Sequence, residues 1–326
     1  MKKVLLCTFA FILISNGSNA KIWRLNNNFG VLADFTTAQA ANDGPAVLAG
    51  DTIHIEPSIT DYGSLSANKR LVWISIGAFL SAHPGTQYST VPGTMTSISA
   101  FPGSENSVFS IYSTSAIGIY VSSIRVERSY FGNNINITNN GYGNPNNVVV
   151  LNSYANAIVI NGGSNHIIAN NIIKSYCYVS STGAATITQN VINAEVDGSS
   201  SIDNSTLQNN IFNKVTTAYT FTNCIVEYNM SGSAGIIPTG NNNQNAVAMS
   251  TVFINNSGNT DGDFILKAGS PALATGIGGV DMGAYGGGSP FKLAVQPAVP
   301  SIYKILAPAA PAGNTMNVIF STRSNN

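Results

Sequence analysis

One spacing constrains this chain more than any other property. Asn152, Asn171, Asn190, Asn210 and Asn229 recur at intervals of 19, 19, 20 and 19 residues, and Ser129 stands 23 residues before the first. Three residues before each of these rungs lies an aliphatic residue: Val126, Val149, Ile168, Ile187, Leu207, Val226. Directly after them come Tyr130, Ser153, Ile172, Val191, Ile211 and Met230. A near-constant period of about 20 residues, built from β-prone side chains and Asn, is the signature of a solenoid whose repeat is one coil of parallel strands.

The period assigns faces. Successive strand residues point to opposite sides, so Ile168, Ile172, Cys177 and Val179 are expected inside one coil, with Tyr176 and Tyr178 outside. In the next coil Ile187, Val191 and Val196 are expected inside, with Glu195 and Asp197 outside. Asn suits a rung twice over: it tolerates a left-handed bend, and its amide can bond the coils above and below. The ladder therefore reads as scaffold. Gly141 to Asn147 reads as an insertion in one coil.

The first twenty residues read as a secretory signal peptide. Lys2 and Lys3 precede an apolar run from Val4 to Ile14, and Ser18-Asn19-Ala20 offers a small-residue cleavage site. The run is too short for a spanning helix, so no membrane span is expected after its removal. That leaves Cys177 and Cys224, at different positions of the repeat and expected as free thiols. Residues 21–289 are expected to form the solenoid. A short helix around Phe35–Asp43 should cover its first coil, because an open solenoid end exposes an edge and an apolar face together. Ser81 to Gly93 reads as a loop, and Ala246 to Ile254 as a strand. Residues 290–326 form a Pro-rich tail with strands at Ser301–Leu306 and Asn314–Thr322. Charged residues are only 9% of the chain and the formal net charge is zero, which gives no electrostatic basis for nucleic-acid binding.

Ala49-Gly50-Asp51-Thr52-Ile53, Tyr62-Gly63, Lys69-Arg70-Leu71 and the turn at Gly77 resemble the entry coils of secreted right-handed parallel β-helices of the pectin-lyase-like superfamily, as found in exported proteins of Bacteroidetes-type bacteria. Asp263-Phe264-Ile265-Leu266, Gly269-Ser270-Pro271-Ala272 and Asp281-Met282-Gly283-Ala284 resemble a closing segment of such proteins, called choice-of-anchor Q. The resemblance implies an all-β, right-handed parallel β-helix with an N-terminal cap helix and a C-terminal β cap. It implies that the closing segment forms the last coils. It implies no particular reaction.

Superfamily enzymes that cleave acidic polysaccharides use Asp-bound calcium with a basic residue, or paired Asp residues. The ladder contains no such Asp cluster. Its best grouping comes from the phase: Tyr176 aligns with Glu195 and Tyr178 with Asp197, with Lys174 and Lys214 just before this strand in flanking coils. Alternate strand residues lie about 6.7 Å apart, near the carboxylate separation of inverting glycosidases, roughly 6.5–9.5 Å. Tyr176, Tyr178, Glu195, Asp197 and Lys214 are thus the candidate ligand-binding residues. Glu195, Asp197 and Lys174 are the residues that would carry catalysis. His54, His83 and His166 are scattered and give no zinc site. Asp261-Gly262-Asp263, the best case for calcium, reads more simply as a turn, so no cofactor is expected. The expected function is that of an exported cell-envelope or secreted protein without catalysis, offering an elongated surface to a polysaccharide, a cell-surface glycan or another partner. The alternative is a polysaccharide lyase or glycoside hydrolase.

Overall fold

The computed structural model of the protein describes residues 20–193, 201–215, 217–308 and 315–324. The signal-peptide reading, which falls on residues 1–20, lies almost wholly outside them. The chain forms a β-solenoid. Three parallel sheets are stacked coil upon coil: a ten-stranded sheet A from Ile22–Leu25 to Ile225–Glu227, and two eight-stranded sheets, C and B. A complete coil runs through A, then C, then B. One coil is Arg125–Glu127, Tyr130–Phe131 and Ile135–Ile137, after which the chain returns to sheet A at Val149–Leu151.

The interior follows from alternation. In sheet A the register aligns one inward residue from each of nine successive strands: Ile53, Trp73, Phe109, Val126, Val150, Ile168, Ile187, Leu207 and Val226. All nine are buried in one core, and each aliphatic member contributes roughly 1.5–3 kcal/mol. Val150 stands where the sequence reading placed Val149. The rung of that coil is correspondingly Ser153, not Asn152. Its Oγ accepts the Ser129 amide at 3.2 Å, and its own amide donates to Asn171 Oδ1 at 2.9 Å.

The ladder is therefore mixed. Ile111 N–H donates to Ser129 Oγ, and below Ser153 the column continues through Asn171, Asn190, Asn210 and Asn229 to Asn243. Each Asn amide accepts the backbone N–H of the coil above. The stacked amides also bond one another, as from Asn190 Nδ2 to Asn210 Oδ1 at 3.0 Å. The left-handed bend sits one residue earlier than expected. Arg128, Asn152, Asn170, Gln189, Asn209 and Tyr228 all have φ between +47° and +59°. Asn recurs there because a short polar side chain tolerates that backbone.

Sheet C departs furthest from the sequence reading. Ile172 and Val191 were expected inside. They belong instead to the outer column Tyr112, Tyr130, Tyr154, Ile172, Val191, Ile211 and Met230, while Phe131, Ile173, Ile192 and Phe212 face the core. The outer column is apolar because it is covered. After Asn243 the chain leaves the coil and runs back along the outside of sheet C. Phe253, Phe264, Met282, Ala284 and Phe291 pack on the column. The closing segment Asp263–Ala284 thus forms this strap and no coil of its own. Ala246 to Ile254 is likewise not a strand: it holds the single helical turn Met249–Val252.

The left-handed column fastens the strap. Asn209 Oδ1 accepts Ile277 N–H, Asn170 Nδ2 donates to the carbonyls of Ala284 and Gly286, and Asn152 Nδ2 donates to Ser289. Further along, Ala78 N–H donates to Ala294 O at 2.8 Å. Residues 301–306 and 319–323 then pair as an antiparallel hairpin. At the other end, the first strand precedes the helix. Helix α1 (Ala38–Asp43), with Thr37 Oγ1 accepting Ala40 N–H, packs beside the strand Leu65–Ala67, where Gln39 Oε1 accepts Ser66 N–H.

Candidate functional site

The outward column of sheet B includes Gly118, Asn136, Val159 and Tyr178, one per coil. Tyr178 is half-buried there, between the inward Cys177 and Val179. Glu195 and Asp197 lie outside the described residues. The register beyond Tyr178 is nevertheless fixed: Val179 pairs with Ile202. The coil position of Tyr178 therefore falls on Ser201, four residues after Asp197, and the constant phase that matched Tyr178 with Asp197 does not hold. Tyr176 is partly buried against the core. Lys174 and Lys214 are both exposed, and the Lys214 ammonium donates to Ser257 O at 3.3 Å. Lys174 aligns with Asn193 and Asn213 rather than with Lys214, since Ile173, Ile192 and Phe212 share a register.

A better-formed site lies three coils away, at the edge between sheets B and A. The insertion Gly141–Asn147 folds over the two preceding coils. Gly141 N–H closes onto Asn139 Oδ1, and Asn146 N–H is held by Ser122 Oγ at 2.9 Å. This brings Tyr142 to Phe101, with ring centroids 6.0 Å apart and edge to face, and Phe101 to Tyr120 at 5.2 Å. Gly118 has no side chain to displace the Tyr120 hydroxyl, which lies directly against it. The result is a cleft of about 350 Å³ lined by Glu105, Tyr120, Ser122, Tyr142 and Asn144 together with Pro102 and Pro145. Glu105 Oε2 accepts Gly103 N–H at 2.8 Å. Its Oε1 takes no hydrogen bond among the described residues. Among the described residues no Lys or Arg lines the cleft. Aromatic rings beside a few free polar groups can grip a ring that has one apolar and one hydroxylated face, because the C–H edges meet the negative face of the π-system.

Several other ionisable groups hold the fold together. Asp261 is fully buried, and its carboxylate accepts Ala294 N–H, Gly262 N–H and the ring of His83, whose Nε2 lies 2.6 Å away. That hydrogen bond raises the His83 pKa above its usual value. Asp263 holds Ser257, Asn259 and Thr260 through one oxygen and Asn255 and Thr260 through the other. Both carboxylates of the Asp261-Gly262-Asp263 turn are thus engaged by the strap itself. Among the described residues no group of three His, Cys, Asp or Glu is placed to hold a metal ion, and no helix is long and apolar enough to cross a membrane. His166 is buried, its Nδ1 accepting Val148 N–H in a second internal column. Burial pushes the Cys177 thiol up to about 12, and Cys177 and Cys224 are both free.

No protein-family model, curated protein or solved structure matches this chain.

Proposed function

We propose that the chain is an exported, right-handed β-helix protein of the cell envelope or the secreted fraction. It binds a glycan without cleaving it, seating the sugar chain along the outer face of sheet B. The observation that carries this reading is the cleft under the Gly141–Asn147 insertion, where the rings of Tyr120 and Tyr142, both packed on Phe101, stand beside Glu105 and Asn144. The rings take the apolar face of a pyranose, and the carboxylate and amide take its hydroxyls. Tyr178 extends the same track. It lies three inter-strand steps from Gly118, roughly 14 Å at about 4.8 Å per step, within reach of a short oligosaccharide anchored at Tyr142. Tyr176 and Lys174 flank that far end.

The test is a glycan array probed with wild-type protein and with Tyr142→Ala and Tyr178→Ala. Tyr142→Ala should weaken any glycan bound by wild type about tenfold, equivalent to about 1.4 kcal/mol. Tyr178→Ala should weaken only the longer oligosaccharides. Failure of wild type to bind any glycan, or undiminished binding by Tyr142→Ala, contradicts the reading.

A further inference from the structure

A second cleft lies where the C-terminal hairpin leans over the outer face of sheet A. It encloses about 380 Å³, inside the range in which proteins hold small molecules, roughly 300–1,000 Å³. Three segments far apart in sequence build it. Sheet A and the turn after it contribute His54 and Ile76, the loop before residue 93 contributes Gln87 and Tyr88, and the hairpin with its leading linker contributes Pro297, Ile302 and Ile305. The walls are branched aliphatic and proline surface. Ile302 and Ile305 form the outer lip and remain 43% and 55% exposed, so apolar area is still open to water at the mouth.

Three of the polar groups in this cleft have unspent capacity. Neither ring nitrogen of His54 is hydrogen-bonded by any described residue, and the same holds for the Gln87 amide and the Tyr88 hydroxyl. Burial lowers the His54 pKa, which favours the neutral imidazole with one donor and one acceptor. Burial likewise keeps the Tyr88 phenol protonated. Among the described residues no Lys, Arg, Asp or Glu lines the space. The charges that act on His54 and Tyr88, Arg24 and Glu56, are paired with each other, so a charged guest would have to compete for one of them or go unpaired, which costs several kcal/mol for a buried charge. An uncharged one would remove the lip isoleucines from water and find three free hydrogen-bonding partners.

We propose that this cleft is a binding site for a small uncharged apolar molecule, of one or two rings or an equivalent branched chain, carrying a single hydrogen-bonding group. The site is independent of the glycan track on sheet B.

The experiment uses two probes of one skeleton. N-phenyl-1-naphthylamine is neutral, with one N–H. 8-Anilino-1-naphthalenesulfonate adds an anionic group to the same rings. Fluorescence titration of the whole protein should give saturable binding of the neutral probe with one site per chain, and at least tenfold weaker binding of the sulfonate. Ile305→Glu and Ile302→Glu, both at the exposed lip, should each weaken the neutral probe at least tenfold without changing the circular dichroism spectrum. Ile225→Glu, at an exposed position on the far end of sheet A, and Tyr142→Ala should bind it as wild type does. Absence of saturable binding overturns the proposal. So does equal affinity for the sulfonate, or a loss in Ile225→Glu matching that in the two lip variants.

Discussion

Replacing Asn190 by Ala tests the ladder where it is most complete. The side chain is fully buried and makes five hydrogen bonds. Its two Nδ2 hydrogens are shared among Ile168 O at 2.8 Å, Thr188 O at 2.9 Å and Asn210 Oδ1 at 3.0 Å. Its Oδ1 accepts both the backbone and the side-chain N–H of Asn171, at 2.9 and 3.0 Å. Truncation strands the Asn171 backbone N–H, the costliest single loss, at about 1–3 kcal/mol for an unsatisfied buried donor, and each remaining bond adds about 0.5–1.5 kcal/mol. Neighbouring amides can recover part of this by rotating, so the expected net cost is about 3–5 kcal/mol. Asn190→Asp should be worse. It is isosteric and keeps an acceptor for Asn171, but it sets a buried carboxylate against three oxygens that now receive an N–H. Urea denaturation followed by far-UV circular dichroism measures both. The order wild type, Ala, Asp in falling stability supports the account, with exposed Asn140→Ala as a neutral control. Asn190→Ala within about 0.5 kcal/mol of wild type, the range of surface changes, would refute the stacking argument.

Two other predictions concern the strap. Asn170→Ala removes the bonds to the Ala284 and Gly286 carbonyls and should raise amide exchange across residues 280–290 while leaving the coil strands protected; unchanged exchange there removes the fastening role. His83 tests linkage. Its folded pKa is raised by Asp261, so its contribution is fully present below the ordinary histidine pKa of about 6.5 and is lost as pH rises through the folded value. The Tm gap between wild type and His83→Gln should therefore be widest in mild acid and shrink above neutrality. A gap that widens with pH contradicts the His83–Asp261 latch.

The coil was legible in the sequence because the interior tolerates few solutions. An internal polar position must serve the coil above, and Asn does so with one donor and one acceptor group, so it repeats loudly. Ser153 was passed over for Asn152 because a serine hydroxyl fills the same role without the same name. Ile172 and Val191 were misassigned for a different reason. Period-two alternation separates inside from outside only while the outside is wet, and a sheet covered on both faces reads as continuously apolar. The strap that covers it has turns and no periodicity, so nothing in the chain announces where it lies. The cleft was hidden similarly. Phe101, Tyr120 and Tyr142 share no coil position. Their one signal was an insertion with an aromatic at its tip, read as a loop length and not as a wall. Tyr178 kept its predicted outward face, but its expected neighbours depended on a 19-residue phase that breaks between Val179 and Ile202.

The most direct measurement of the central claim is a calorimetric titration of the best array glycan into wild type, Tyr142→Ala and Glu105→Gln. The account predicts a single site per chain, a loss of about tenfold or more in Tyr142→Ala, and a smaller loss in Glu105→Gln, which keeps one acceptor oxygen. Binding of equal strength in all three proteins would place the glycan elsewhere and contradict the cleft as its seat.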